Sequence, residues 1–287
     1  MSNTRTAVVT GASSGFGRLT AQTLAADGWR VYATMRNVAG KNAAAAEGLR
    51  AAGINVVELD VNSDGSVDAA AKQILAEAGA IDVLVNNAGT GFFGIQEAFT
   101  PSAVEAQFAT NVIGPLRVSR AFLPSMRERK SGLIVYVSSV VGRIIIPFGS
   151  IYNASKFALE ALAEASSYEL APFGIDVAIV EPGAYPTEIG GKMTGPDDAA
   201  RLAAYGAVAT YAEKLSEGLA ASAEGRDPQE IATAIAQLAN APAGKRPLRI
   251  VLPQNDAVEA INAALAPIQR GVLQSMGMES LLPKVTA

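Results

Sequence analysis

Seven short apolar runs recur along the chain, separated by stretches whose apolar residues fall at helical spacing. The runs are TAVVT (6–10), WRVYATM (29–35), NVVELDV (55–61), IDVLVNNAG (81–89), GLIVYVSS (132–139), IDVAIVEPG (175–183) and LRIVLP (248–253). Between and after them the pattern predicts helices over 16–26, 43–52, 65–77, 101–129, 152–170, 228–239 and 256–276. The 199–221 stretch is also helix-compatible, and Gly114-Pro115 predicts an interruption of the long 101–129 segment. Strands this uniformly apolar suit a parallel sheet covered on both faces. Strands alternating with helices require crossovers, so the expected fold class is α/β, a doubly wound seven-stranded parallel sheet. No Pro/Gly/Ser linker divides the 287 residues, and a single domain is expected over 1–287.

Sheets of this kind bind ligands beyond the C-terminal ends of their strands. Gly11, Asp60, Asn86, Ser139 and Pro182 all fall at or just after such ends. The turn after the first run carries Gly11, Gly15 and Gly17, spaced G-x-x-x-G-x-G, with Thr10 before it and a helix after it. Glycines there let the backbone approach a pyrophosphate, and the helix start supplies free N–H groups and a positive dipole. Taken alone, the same spacing also fits a tight strand-to-helix connection.

Composition narrows the chemistry. The chain has no cysteine, which excludes disulfides, thiol nucleophiles and Cys-ligated zinc. It has no histidine, which excludes Ser-His-Asp catalysis and most transition-metal sites, and no metal centre is expected. Proton transfer near neutral pH falls to Asp, Glu, Lys or Tyr. Tyr152 and Lys156 stand four residues apart, so a helix starting there places phenol and ammonium on one face. A cation beside a phenol is expected to lower its pKa, and Ser139 at a strand end could bond the same substrate oxygen. The bland alternative is a half-buried tyrosine beside a solvated lysine. A net charge of −4 offers nucleic acid no general attraction. No apolar run reaches the length of a membrane span, and a soluble, cytoplasmic protein is expected.

The motifs TGASSGFG (10–17), LDV (59–61), NNAG (86–89), Asn111, Ser139, YNASK (152–156) and EPG (181–183) occur in one order. Together they resemble the short-chain dehydrogenase/reductase family, over roughly residues 5–253. The resemblance implies a Rossmann-like domain and a catalytic set of Asn111, Ser139, Tyr152 and Lys156. Tyr152 would exchange a proton with the carbonyl or alcohol oxygen, and Ser139 would orient that oxygen. Lys156 would hold the nicotinamide ribose, and Asn111 a water of the proton relay. Cofactor contacts would come from Gly11, Ser13, Ser14, Gly15, Phe16 and Gly17, then Asp60 and Val61 at the adenine. Asn87, Ala88 and Gly89 would form the floor, with Pro182 and Gly183 near the nicotinamide, and Tyr152 and Lys156 would also touch the cofactor.

Within this resemblance, NAD-preferring members place an acidic residue at the end of the second strand, where this chain has Met35 followed by Arg36. Arg36 suits a 2′-phosphate, so NADP(H) is favoured over NAD(H), although Ser14 stands where many NADP-preferring members carry a second base. A solvated loop arginine is the other reading. Phe92, Phe93, Ile145, Phe148, Tyr185 and Met193 are expected to face an apolar carbonyl or alcohol substrate. Residues 184–227 match the family's helical substrate lid, with Gly190, Gly191 and Gly195 as hinge candidates. The extension over 254–287 either covers the substrate site or joins a subunit interface. The 101–129 and 152–170 helices imply a homodimer or homotetramer.

Overall fold

The computed structural model describes residues 4–188 and 193–283. Its strands are β1 (Thr6–Thr10), β2 (Arg30–Met35), β3 (Asn55–Glu58), β4 (Val83–Asn86), β5 (Gly132–Val137), β6 (Ile175–Pro182) and β7 (Arg249–Leu252). The helices are α1 (Gly15–Ala26), α2 (Ala43–Ala51), α3 (Asp64–Ala78), α4 (Pro101–Phe108), α5 (Gly114–Arg129) and α6 (Ser150–Leu170), then α7 (Ala199–Ala204), α8 (Thr210–Ala223), α9 (Gln229–Asn240) and α10 (Asp256–Ser275).

The strands form one parallel sheet in the order β3-β2-β1-β4-β5-β6-β7. This is the Rossmann-like doubly wound arrangement, and the strand order reverses between β1 and β4. The period-two pleat divides each apolar run between two cores. Ala7, Val9, Val31, Ala33, Val85 and Val135 pack against Leu24, Leu49 and Ile235 of α1, α2 and α9. Val8, Tyr32, Leu84, Ile134 and Ile179 pack against Val67, Ile74, Phe122 and Leu159 of α3, α5 and α6. Each buried valine, leucine, isoleucine or phenylalanine among them contributes about 1.5–3 kcal/mol, so the strand ends that carry the site rest on a rigid platform.

Three elements depart from the sequence pattern. The third strand stops at Glu58, because Asp60 N–H donates to Ser66 Oγ at 2.9 Å and Asn62 N–H to Asp60 Oδ1 at 3.0 Å. These turn bonds take the Asp60–Val61 segment off the sheet and over its edge. The 101–129 stretch breaks at a π turn over Ala109–Ile113, upstream of the expected Gly114-Pro115 interruption. Pro115 instead sits in the first turn of α5, where a missing N–H costs nothing. The 199–221 stretch divides into α7 and α8 around Gly206, whose φ of +48° suits glycine.

The C-terminal α10 lies on the outside, with Val258 and Leu273 as its buried residues. Among the described residues, no helix is long and apolar enough to cross a membrane.

Candidate active site

Beyond the C-terminal ends of the strands opens a cleft of about 1250 Å³. Its floor is a lock between the turns after β1 and β4. Thr10 Oγ1 donates to Val85 O at 3.3 Å and accepts from the N–H groups of Asn87 at 3.0 Å and Ala88 at 3.1 Å. Asn87 Nδ2 returns a bond to Thr10 O at 2.9 Å. The glycines fit this lock closely. A Cβ on Gly11, whose φ is +66°, would lie 2.8 Å from Ala88 Cα. One on Gly17 would press on the Asn87 amide and lie 2.6 Å from Gly11 O. The backbone therefore curls around open space at the start of α1, a geometry suited to a pyrophosphate.

At the other end of the cleft, Ser139, Tyr152 and Lys156 line the wall together. Ser139 follows β5; its Oγ donates to Pro182 O at 3.2 Å and accepts from Val141 N–H at 3.3 Å. Tyr152 and Lys156 lie one turn apart on α6, with Lys156 Nζ 5.7 Å from the Tyr152 ring centroid. The ring of Phe93 lies 5.1 Å from that of Tyr152, centroid to centroid.

The family comparisons agree with this arrangement. The sequence profile of the short chain dehydrogenase family matches residues 5–197. The chain is 39% identical to mouse 17-beta-hydroxysteroid dehydrogenase type 1 over 78% of this chain and 67% of that protein. It is 42% identical to bovine retinol dehydrogenase 8 over 66% of this chain and 62% of that protein. A crystal structure of a short-chain dehydrogenase from Streptomyces avermitilis superposes with a TM-score of 0.76, at 36% identity over 98% of both chains. An alcohol dehydrogenase from Thermococcus sibiricus, complexed with 5-hydroxy-NADP, superposes at 0.69 with 29% identity over 87% of this chain and 96% of that one. A relative from Burkholderia phymatum, in complex with NAD, superposes at 0.74 with 25% identity over 95% of both.

This chain is a short-chain dehydrogenase. It is an oxidoreductase acting between CH–OH and C=O with a nicotinamide cofactor. The glycine cradle and the open cleft fit that cofactor on geometry alone.

In this dehydrogenase most of the expected cofactor residues converge on one cleft. Gly11, Ser13, Ser14, Gly15, Phe16, Arg36, Asp60, Val61, Asn87, Ala88, Gly89, Pro182 and Gly183 all line it, while Gly17 lies buried beneath. Asn111 is placed differently. It sits in the π turn, 1% exposed, with Oδ1 accepting from Thr90 N–H at 2.9 Å. Its Nδ2 donates to Thr90 O at 2.9 Å and to Ser155 Oγ at 3.1 Å. Its amide is committed to stapling the Thr90 backbone to α6, behind the cleft wall.

The electrostatics correct one expectation. Burial pushes the Tyr152 phenol up to about 12, and the hydrogen bond with Ser139 only partly opposes this. Burial and Ser139, not the lysine, set this value, and Lys156 Nζ donates to Val137 O at 2.9 Å. Lys156 is itself brought down to about 8 by burial, against the opposing charge of Glu160.

The apolar end of the cleft is formed by Phe92, Phe93, Ile146 and Met193. Ile145 and Phe148, expected there, are absent from the lining. Ile145 is 72% exposed, and Phe148 turns in a left-handed conformation (φ +58°) while its carbonyl accepts from Gly94 N–H at 2.7 Å. Of the three consecutive isoleucines, Ile146 is the one that lines the cleft. Tyr185 lines the cleft beside Phe16, edge-on at 5.5 Å, with its hydroxyl donated to Glu230 at 2.8 Å. It therefore stands nearer the glycine turn than the apolar end.

Of the stretch expected to form a lid, Ser216, Leu219, Ala220, Ala221 and Ala223 of α8 line the cleft. Their helical spacing was the signal that could have found them. Gly190 and Gly191 lie outside the described residues, whereas Gly195 follows Thr194, which bridges to Phe92. Lys41 also lines the cleft, five residues after Arg36 and with no sequence signal of its own, because the intervening loop folds back: Asn42 Nδ2 donates to Arg36 O at 2.6 Å.

Proposed function

We propose that this dehydrogenase prefers NADP(H) and reduces a hydrophobic ketone or aldehyde, with oxidation of the matching alcohol as the reverse. The chemistry of the cleft's two ends carries the reading. Exposed Arg36 and Lys41 border one end, while Phe92, Phe93, Ile146 and Met193 line the other, where Phe93 packs on Tyr152. The Arg36 side chain makes no hydrogen bond or ion pair among the described residues, which leaves its fork available to a 2′-phosphate.

When bound, the nicotinamide supplies or accepts the hydride. The turn from Thr10 to Gly17 would hold its pyrophosphate and Asn87 to Gly89 its near face. Asp60 and Val61 would meet the adenine, Lys156 the ribose hydroxyls, and Pro182 and Gly183 the nicotinamide. In the reductive direction Tyr152 gives its phenolic proton to the carbonyl oxygen: the tyrosine O–H breaks, the alcohol O–H forms and a phenolate remains. Ser139 turns its one hydroxyl proton from Pro182 O to the same oxygen, and charged Lys156 stabilises the phenolate. Asn111 and Ser155 hold Thr90 and α6 in place.

Paired fluorescence titrations with NADPH and NADH test the cofactor assignment. NADPH is expected to bind at least about tenfold tighter, or about 1.4 kcal/mol. Arg36→Ala is expected to lose most of that margin with NADH affinity unchanged. Equal loss for both cofactors would make Arg36 a general contact.

A second reading is an NAD(H)-dependent alcohol or hydroxysteroid-type dehydrogenase, its hydroxysteroid part favoured by the name of the mouse relative and its cofactor by the NAD complex of the Burkholderia phymatum relative. Tighter NADH binding in the same titrations would select it. We also propose a homodimer or homotetramer through the face carrying exposed Ile113, Leu116 and Phe157, which sedimentation would detect.

A further inference from the structure

Behind Lys156 lies a buried ionic cluster that the reaction above does not use. Helix α6 carries Lys156, Glu160 and Glu164 at successive four-residue intervals, on one face. Glu160 is 2% exposed, and Glu181 of β6 is 0% exposed. Arg249 of β7 reaches three carboxyls: Glu160 at 3.1 Å, Glu164 at 2.6 Å and Glu181 at 3.2 Å. Arg143, in the loop after β5, adds positive charge towards Glu164 and Glu181. Tyr168 donates to Glu164 at 2.8 Å, and Asn262 of α10 donates to Glu181 Oε2 at 2.8 Å.

The cluster is not closed. Ser138 Oγ, Glu160 Oε1, Arg143 Nε and Asn262 Oδ1 are buried without a hydrogen-bond partner among the described residues. Gly142 keeps the space between Ser138 and Glu160 open, since a Cβ there would lie 2.9 Å from Ser138 Oγ and 3.0 Å from Glu160 Cγ. A buried ion cluster is often less stable than apolar packing of the same volume, so stability is a poor account of this one. Its electrostatics give a better one. Burial and the Glu160 charge raise Glu181 to about 7, while the Glu160 charge offsets part of the burial that strips Lys156 of its proton.

We propose that Glu160 is a positioning residue that keeps Lys156 charged, and that Glu181, held beside it by Arg249 and by Asn262 of α10, stores one exchangeable proton. The C-terminal extension thereby reaches the catalytic centre from behind. The inference rests on the assignment of Lys156 to catalysis.

The test is Glu160→Gln in the full chain, with folding checked by near-ultraviolet dichroism and kcat/KM for carbonyl reduction followed against pH. The wild-type profile falls above about pH 8 as Lys156 loses its proton. In the variant this limb is expected to move to lower pH by about half a unit or more. A lower rate at every pH with an unmoved limb would mark a merely structural role and overturn the proposal.

A second readout needs no turnover. Infrared titration of the wild type is expected to show a protonated buried carboxyl at about pH 6 that is lost by about pH 8. The band disappears in Glu181→Gln and persists to higher pH in Asn262→Ala. No such band overturns the stored proton even if Glu160→Gln fails to fold, and an unmoved band in Asn262→Ala overturns the part given to α10. A wild type that turns over no carbonyl counts against the proposed function instead, and the infrared titration still decides the stored proton.

Discussion

Tyr152→Phe is expected to lower kcat for carbonyl reduction by about 10²–10⁴-fold, the range for losing a positioned general acid. That corresponds to about 3–5 kcal/mol of barrier. The variant removes one oxygen and nothing that holds the glycine turn, so nicotinamide affinity should change by less than about threefold. The fold should survive, because the Tyr152 ring keeps its contact with Phe93 and Ser139 keeps its bonds to Pro182 and Val141. Steady-state kinetics beside a cofactor titration check both halves. An unaltered rate would remove Tyr152 from the chemistry, whereas a rate loss matched by lost cofactor binding would make it a binding residue only.

Lys156→Met is expected to cost about 10²–10³-fold in kcat/KM, the scale for removing a preorganised charge from a developing anion. Unlike Tyr152→Phe, it should also weaken cofactor binding. Its effect on stability should run the other way at neutral pH. Lys156 titrates at about 8 in the fold, below the ordinary 10.5, because burial opposes its charge. A depressed lysine contributes full stability above its unfolded pKa and loses it as pH falls through the folded value. At pH 7 the wild type therefore carries a cost of about 3 kcal/mol, against about 1 kcal/mol gained from the bond to Val137 O. The methionine variant should melt higher at pH 7, and its advantage should shrink as pH approaches about 10.5. A lower melting temperature at pH 7 would show that the cluster around Glu160 more than compensates the buried ammonium.

These two effects separate the parts of the molecule that local pattern could reveal from those it could not. The seven strands and their order of appearance were legible because each apolar run must be covered on both faces, which leaves few arrangements for a chain of alternating strands and helices. The glycine turn and the Tyr152/Lys156 pair were legible because each sits at a strand end or on one helix face, where short spacing dictates proximity, whereas Ser139 joined them through the family resemblance. The interruption near Gly114-Pro115 was legible too, but its form as a π turn over Ala109–Ile113 was not, since a helical pattern does not say how the freed turn is accommodated. Its consequence is that the Asn111 side chain turns into the wall and fastens Thr90 and Ser155.

What the sequence determined by itself is therefore the platform and the chemistry: a parallel α/β sheet, a close glycine turn and a phenol one helical turn from an ammonium. Tertiary structure alone decided which of Ile144, Ile145 and Ile146 faces the cleft, how Lys41 comes to share a wall with Arg36, and why Tyr152 is pushed up to about 12 instead of down. It also brought Glu160, Glu181, Arg249 and Asn262 together from α6, β6, β7 and α10. The physical reason is one of range. Periodicity and spacing encode neighbours within a turn or a strand, whereas burial, charge and contact between distant segments exist only once the sheet has assembled them.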